Sequence, residues 1–184
     1  GSGKILRIRQ HPVTLPRGEA TAGKKPFKIR VEDIARESAE QNGFSGGMCY
    51  SFESPKVFDM LLIPEGAKER EAIKISNPLG EDFSIMRTIS LNGMMTSLAN
   101  NYSHRNQNVR LYEFGNIYIP KALPLTELPE ERMQLTLGMY GDGDFFTLKG
   151  VLEDILKDLG LGGASEYIPT REHPSCIRAV RQMC

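Results

Sequence analysis

Apolar residues recur along this chain with two periods, and the change from one to the other marks out its elements. Val31, Ile34, Ala35, Ser38 and Ala39 fall at i, i+3, i+4, i+7 and i+8, one face of a helix. Asn42-Gly43 supplies its stop. Met48-Cys49-Tyr50-Ser51-Phe52 predicts a short strand bounded by turn residues. Ser54-Pro55 predicts a capped short helix burying Val57, Phe58, Leu61 and Leu62. After a turn at Pro64-Glu65-Gly66, Ala72-Ile73-Lys74-Ile75-Ser76 alternates and predicts a strand, broken by Asn77-Pro78-Leu79-Gly80. Leu91, Met94, Met95, Leu98, Ala99 and Tyr102 form the cleanest helical stripe, starting after Ser90. Val109–Ile119 carries apolar residues on both alternating faces, which predicts a central strand covered on both sides. Met133, Leu135, Leu137 and Met139 alternate with polar or small residues and predict a half-buried partner strand, antiparallel to it. The turn Gly141-Asp142-Gly143-Asp144 leads to a third helix capped by Thr147, with the stripe Leu148, Val151, Leu152, Ile155, Leu156, Leu159. On its outer side Glu153 and Lys157 are spaced for an ion pair. Gly160 ends it, and two weaker strands are predicted over 166–169 and 177–180. This order predicts an α+β fold with a mainly antiparallel sheet flanked by helices.

Length and charge narrow the function classes. A chain of 184 residues holds one sizeable core, or one core and a small appendage. Lys+Arg 23 balances Asp+Glu 23, against the basic surplus of a free-standing nucleic-acid module. No apolar run approaches the roughly 20 residues of a membrane span, and no leader pattern opens the chain, so no membrane partner and a cytoplasmic location are expected. Cys49, Cys176 and Cys184 are odd in number and share no short spacing, which argues for free thiols. Gly1-Ser2-Gly3 reads like a scar left by tag removal, and residues 11–26, with three prolines, two glycines and no periodicity, read as an extended arm. The expected organisation is therefore a scar plus linker over 1–26 and a core domain over 27–184. The last residues alternate like a strand with no turn after them, so the core is expected to be truncated at that end.

Few residues carry obvious chemistry. Glu113 lies among aliphatic neighbours, and a buried carboxylate needs a partner. Arg87 is the candidate for a structural ion pair with it. The stripe of Leu91, Met94, Met95, Leu98 and Tyr102 reads first as core packing, but its adaptable Met pair also makes it a candidate interface. The loop His104-Arg105-Asn106-Gln107-Asn108 is polar and slightly basic; Arg105 and Arg110 are candidate RNA contacts. His11, His104 and His173 are too scattered for a metal or triad site, Asp142 and Asp144 lack the other ligands of a calcium loop, and Gly46-Gly47 opens no phosphate loop. No catalytic, cofactor-binding or metal-binding residue is assigned.

Three stretches in register resemble a known family. They are Asn77-Pro78-Leu79-Gly80-Glu81-Asp82-Phe83-Ser84-Ile85-Met86-Arg87-Thr88, then Asn108-Val109-Arg110-Leu111-Tyr112-Glu113-Phe114-Gly115-Asn116-Ile117-Tyr118, then Asp144-Phe145-Phe146-Thr147-Leu148-Lys149-Gly150-Val151. In this order and at these separations they resemble the class II synthetase-like core of the bacterial phenylalanyl-tRNA synthetase β subunit. Thr14-Leu15-Pro16 is similar to the segment leaving the preceding domain of that subunit, and His173-Pro174-Ser175 to the start of a later core strand.

The resemblance implies an antiparallel sheet flanked by helices. It implies a core that packs on the α subunit, which performs the chemistry, within a heterotetramer that charges tRNA(Phe). ATP and Mg2+ then belong to the whole enzyme, with no cofactor in this domain. Class II sites hold ATP largely with arginines, one of them just after an aromatic on a strand similar to residues 115–119. Here Tyr118 is followed by Ile119 and Pro120, and an aliphatic side chain cannot neutralise a triphosphate. Glu127, Glu130 and Glu131 nearby oppose both ATP and an acceptor stem. Two other readings remain: an RNA-binding module using Arg105, Arg110 and the basic residues Arg17, Lys24, Lys25, Lys28 and Arg30, and an autonomous adenylate-forming enzyme.

Overall fold

The long pair of strands organises the molecule. In a computed structural model that describes residues 17–19, 21–163 and 167, β4 (Val109–Ile119) and β5 (Glu130–Tyr140) run antiparallel over their full length, from Val109 opposite Tyr140 to Ile119 opposite Glu130. The strand β1 (Ser45–Gly46) joins the other side of β4 in parallel, so β4 is central and the sheet order is β1-β4-β5. The sheet is therefore mixed in direction. A second small sheet pairs β2 (Phe52–Glu53) with β3 (Ile85–Met86), antiparallel.

Strand alternation sorts the two faces of the sheet. Tyr112 and Phe114 of β4, with Leu135, Leu137 and Met139 of β5, meet α1 (Phe27–Gln41) and α4 (Phe145–Asp158) through Ala35, Ala39, Val151 and Ile155. The opposite face, carrying Glu113 and Gly138, is covered by α3 (Leu91–Ser103). The close approach of α3 depends on Gly138: a Cβ there would lie 2.6 Å from Met94 Cγ and 2.9 Å from Leu98 Cδ1. A satellite cluster of Val57, Phe58, Ile63 and Ile85 lies around α2 (Val57–Met60) and β3.

Several local expectations are corrected. Residues 48–51 form no strand, and of the predicted run Phe52 alone is in one, as the first residue of β2. The ladder runs through Ser45–Gly46 and the Gly47 amide, which donates to the Tyr112 carbonyl at 2.8 Å. The Cys49 amide is then taken by the Glu113 carboxylate instead of a strand partner. Leu62 is not buried with its helix: it turns out to solvent at φ 56°, and Ile63 fills the core place. Residues 72–76 make a single bridge, Lys74 opposite Ile85, rather than a full strand. Glu153 pairs with Lys149 at 2.6 Å, one turn earlier than Lys157, and Lys149 also sits over the Tyr167 ring. Apart from Tyr167, the strands expected over 166–169 and 177–180 lie outside the described residues, as do Thr14-Leu15-Pro16, His173-Pro174-Ser175, Cys176 and Cys184.

The N-terminus of α4 is set by Asp144, with Thr147 as its counterpart and not the cap. The Thr147 amide donates to Asp144 Oδ1 at 2.8 Å, and the Asp144 amide donates to Thr147 Oγ1 at 3.3 Å, a reciprocal capping box. The bond from the Thr147 amide, helped by the Thr147 hydroxyl, holds the Asp144 carboxyl below its ordinary value. A depressed folded value means the stabilisation is complete above the ordinary carboxylate range and is lost as pH falls through the folded value. Asp144→Ala is expected to lower the melting temperature by a few degrees and Asp144→Asn by much less, because Asn also caps. Equal losses in the two variants would show that the cap contributes nothing.

Candidate functional site

A buried polar junction lies where β3, β4 and α3 meet. Arg87 follows β3 and is 2% exposed; Glu113, in the middle of β4, is 1% exposed. Arg87 Nη1 donates to Glu113 Oε1 at 3.0 Å, and Arg87 Nε donates to the Asn116 carbonyl at 2.8 Å. The Arg87 backbone completes the tie: its amide donates to the Ser51 carbonyl, and its carbonyl accepts from the Tyr118 amide, each at 2.9 Å. Gly115 makes room for the guanidinium, since a Cβ there would stand 2.8 Å from Arg87 Cζ and 3.0 Å from Glu113 Oε1. The Arg–Glu pair thus joins the small sheet to the large one.

A second carboxylate in the junction carries no sequence signal. Glu53, at the end of β2, is 5% exposed and accepts from Asn92 Nδ2 at 3.1 Å on Oε1. Its other oxygen has no partner among the described residues. Burial pushes its carboxyl above the ordinary value, outweighing the Asn92 bond and the nearby Arg87 charge. A raised folded value means the folded state holds its proton longer than the unfolded chain. Glu53 therefore subtracts stability as pH rises from the ordinary carboxylate value to the folded one. Glu53→Gln is expected to flatten that fall in a series of melts from pH 4 upward, and an unchanged pH slope would contradict this burial account. Nothing in Phe52-Glu53-Ser54-Pro55 announces a buried acid, because its partner Asn92 is remote in sequence.

A third hydrogen-bonded set lies under the start of α3. Ser90 Oγ bonds Gln134 Oε1 at 2.9 Å and meets Thr136 Oγ1, filling the sheet face with side chains of this chain itself. Among the described residues, no group of three His, Cys, Asp or Glu side chains is placed to hold a metal ion.

The candidate interface stripe divides. Met94 is 2% exposed and turned onto Gly138, and Leu91 and Leu98 are half-buried. Met95 and Tyr102 face outward, Tyr102 stacked edge-on against Tyr140 at 5.8 Å. Further exposed apolar surface is offered by Phe27 and Ile29 of α1. The candidate RNA contacts sit near each other at the end of the sheet. Arg105 is exposed at φ 62°, whereas Arg110 is tied to Asp142 at 3.3 Å and to the Asn42 carbonyl. Of the basic arm, Lys25 pairs with Asp33 at 2.6 Å. Arg110 and Lys25 are thus neutralised within the chain. At the other end, Ile119 of β4 faces Glu130, which is held by Arg132 at 2.7 Å.

This arrangement of sheet and helices is similar in fold to that of known aminoacyl-tRNA synthetases. Two structures of Desulfitobacterium hafniense pyrrolysyl-tRNA synthetase superpose on 74% of the chain with TM-scores of 0.57 and 0.60, covering 48% of their own length, at 15% and 16% identity, a likeness of fold alone. The sequence is more specific: residues 12–179 match the phenylalanyl tRNA synthetase beta chain CLM domain, and the chain belongs to that family. The phenylalanine–tRNA ligase beta subunits of Clostridium acetobutylicum and Clostridium tetani are each 42% identical over 94% of the chain, and that of Moorella thermoacetica is 37% identical over 85%. The chain spans 22% of the length of the two Clostridium relatives and 20% of the third.

Proposed function

We propose that this chain is the core domain of a phenylalanine–tRNA ligase β subunit. In this reading it packs on the α subunit, supports ATP-dependent charging of tRNA(Phe) with phenylalanine, and performs none of the chemistry itself. The observation that carries it is the family match across residues 12–179, joined to relatives that bear that name. The core would run from residue 27 onward as a class II fold with a mainly antiparallel sheet, after a linker over 1–26, in a cytoplasmic enzyme. No described helix is long and apolar enough to cross a membrane.

The residues present do not fit a triphosphate in this domain. Where the resemblance places an ATP-holding arginine stands Ile119, opposite Glu130, with Glu131 bonded by Asn116 beside it. Carboxylates there repel the phosphates, and an aliphatic chain offers no donor. ATP and Mg2+ are accordingly assigned to the whole enzyme. Phenylalanine-dependent exchange of pyrophosphate into ATP tests this: the chain alone is expected to give background exchange. Exchange above background would favour the adenylate-forming enzyme instead.

The partner surface assigned to α3 narrows to its outward residues, Met95 and Tyr102, with Leu91 and Leu98 at its margin. A methionine beside an exposed tyrosine is an adaptable, largely apolar contact of the kind interfaces use. Direct tRNA binding through Arg105 would be a minor role, because the neighbouring Arg110 already has an acidic partner.

A further inference from the structure

We propose that the recess beside the first half of α3 binds an alkylammonium group, with Glu53 as its acidic floor and Tyr50, Phe52 and Phe83 as its walls. The recess has a volume of about 250 Å³ and is lined by those residues together with Cys49 and Asn92. Its size suits a single short chain rather than a nucleotide.

Charge argues for a cation. The junction beneath the recess holds one guanidinium, Arg87, and two carboxylates, Glu113 and Glu53. Arg87 is committed to Glu113 at 3.0 Å and acts on Glu53 through its charge without a hydrogen bond, so that among the described residues the donor to the Glu53 carboxyl is the neutral Asn92 amide. One oxygen of each carboxylate is buried without a partner among the described residues. A buried carboxyl in that condition either keeps its proton, as burial favours at Glu53, or ionises against a donor that also brings positive charge.

The walls argue for an organic cation. Tyr50 and Phe83 stand edge to face with centroids 6.0 Å apart, and Tyr50 is 75% exposed at the rim. Aromatic faces attract ammonium groups and cover their methylene stems. A bare divalent ion would require several oxygen ligands, and no such cluster occurs among the described residues. The same chemistry is offered by a free small amine and by a lysine side chain of a bound protein.

The test is a titration of the isotope-labelled chain followed by NMR at the Tyr50 and Cys49 signals. The probes are n-butylammonium, Nα-acetyl-lysine methylamide and, as the neutral control, n-butanol. Saturable shifts are expected with both ammonium probes and not with butanol. Glu53→Gln is expected to weaken binding at least about tenfold, and Tyr50→Ala, at an exposed position, several-fold without loss of folding. If the lysine probe binds tighter than butylammonium, the source is a partner's lysine; the reverse order assigns a free amine. Absence of saturable shifts with both ammonium probes overturns the proposal. So does equal binding of butanol, or unchanged affinity in the Tyr50→Ala chain.

Discussion

Replacing Arg87 by Met, or Glu113 by Gln, is expected to cost about 3–5 kcal/mol of folding stability, the largest effect of any single change considered. The size follows from burial. With Arg87 gone, the Glu113 carboxylate keeps the Cys49 amide as its one donor among the described residues and sits 1% exposed in the middle of the central strand. With Glu113 gone, the guanidinium keeps the Asn116 carbonyl and has Glu53 as its remaining acidic neighbour. The double change Arg87→Met with Glu113→Leu is expected to recover much of the loss, since apolar replacements of a buried pair are often neutral. Urea unfolding of the two single variants and the double variant gives the coupling directly. Single losses below about 1 kcal/mol, the range of exposed pairs, would mean that the pair is not buried in solution.

The neighbouring methionines of α3 are expected to behave oppositely. Met94→Ala removes a side chain that is 2% exposed and packed over Gly138 and should cost about 2–5 kcal/mol, as core truncations do. Met95→Ala removes one that is 45% exposed and should change stability by less than about 0.5 kcal/mol. Any effect of Met95→Ala should instead be on binding to the α subunit. Equal destabilisation by the two would contradict the orientation of the helix.

Much of this architecture was legible because it is written in local periods. The limits of β4 follow from alternation over eleven residues, and the helices α1, α3 and α4 from stripes with clear stops. Glu113 was conspicuous as a carboxylate inside an apolar strand. What the periods do not carry is what depends on remote partners. Met94 and Met95 share one stripe, and only the glycine at 138, on another element, decides which turns inward. The segment 48–50 has strand-like residues, but its amide is claimed by Glu113, so it leaves the ladder. Ser45–Gly46 pairs in parallel with β4 through two residues, too short for any pattern to show. Glu53 and Asn92 are polar in ordinary-looking surroundings and become a site only when β2 meets α3. The position of Ile119 carries meaning only through the family resemblance, because no period sets one aliphatic strand end apart from another.

In the proposed role this domain acts by contact and not by chemistry. Sedimentation velocity of the chain mixed with the phenylalanine–tRNA ligase α subunit tests it most directly. A complex of defined stoichiometry is expected, weakened when Met95 and Tyr102 are both changed to Ala while the chain keeps its melting temperature. Independent sedimentation of the folded chain and the α subunit, at concentrations where each is monodisperse, would contradict it.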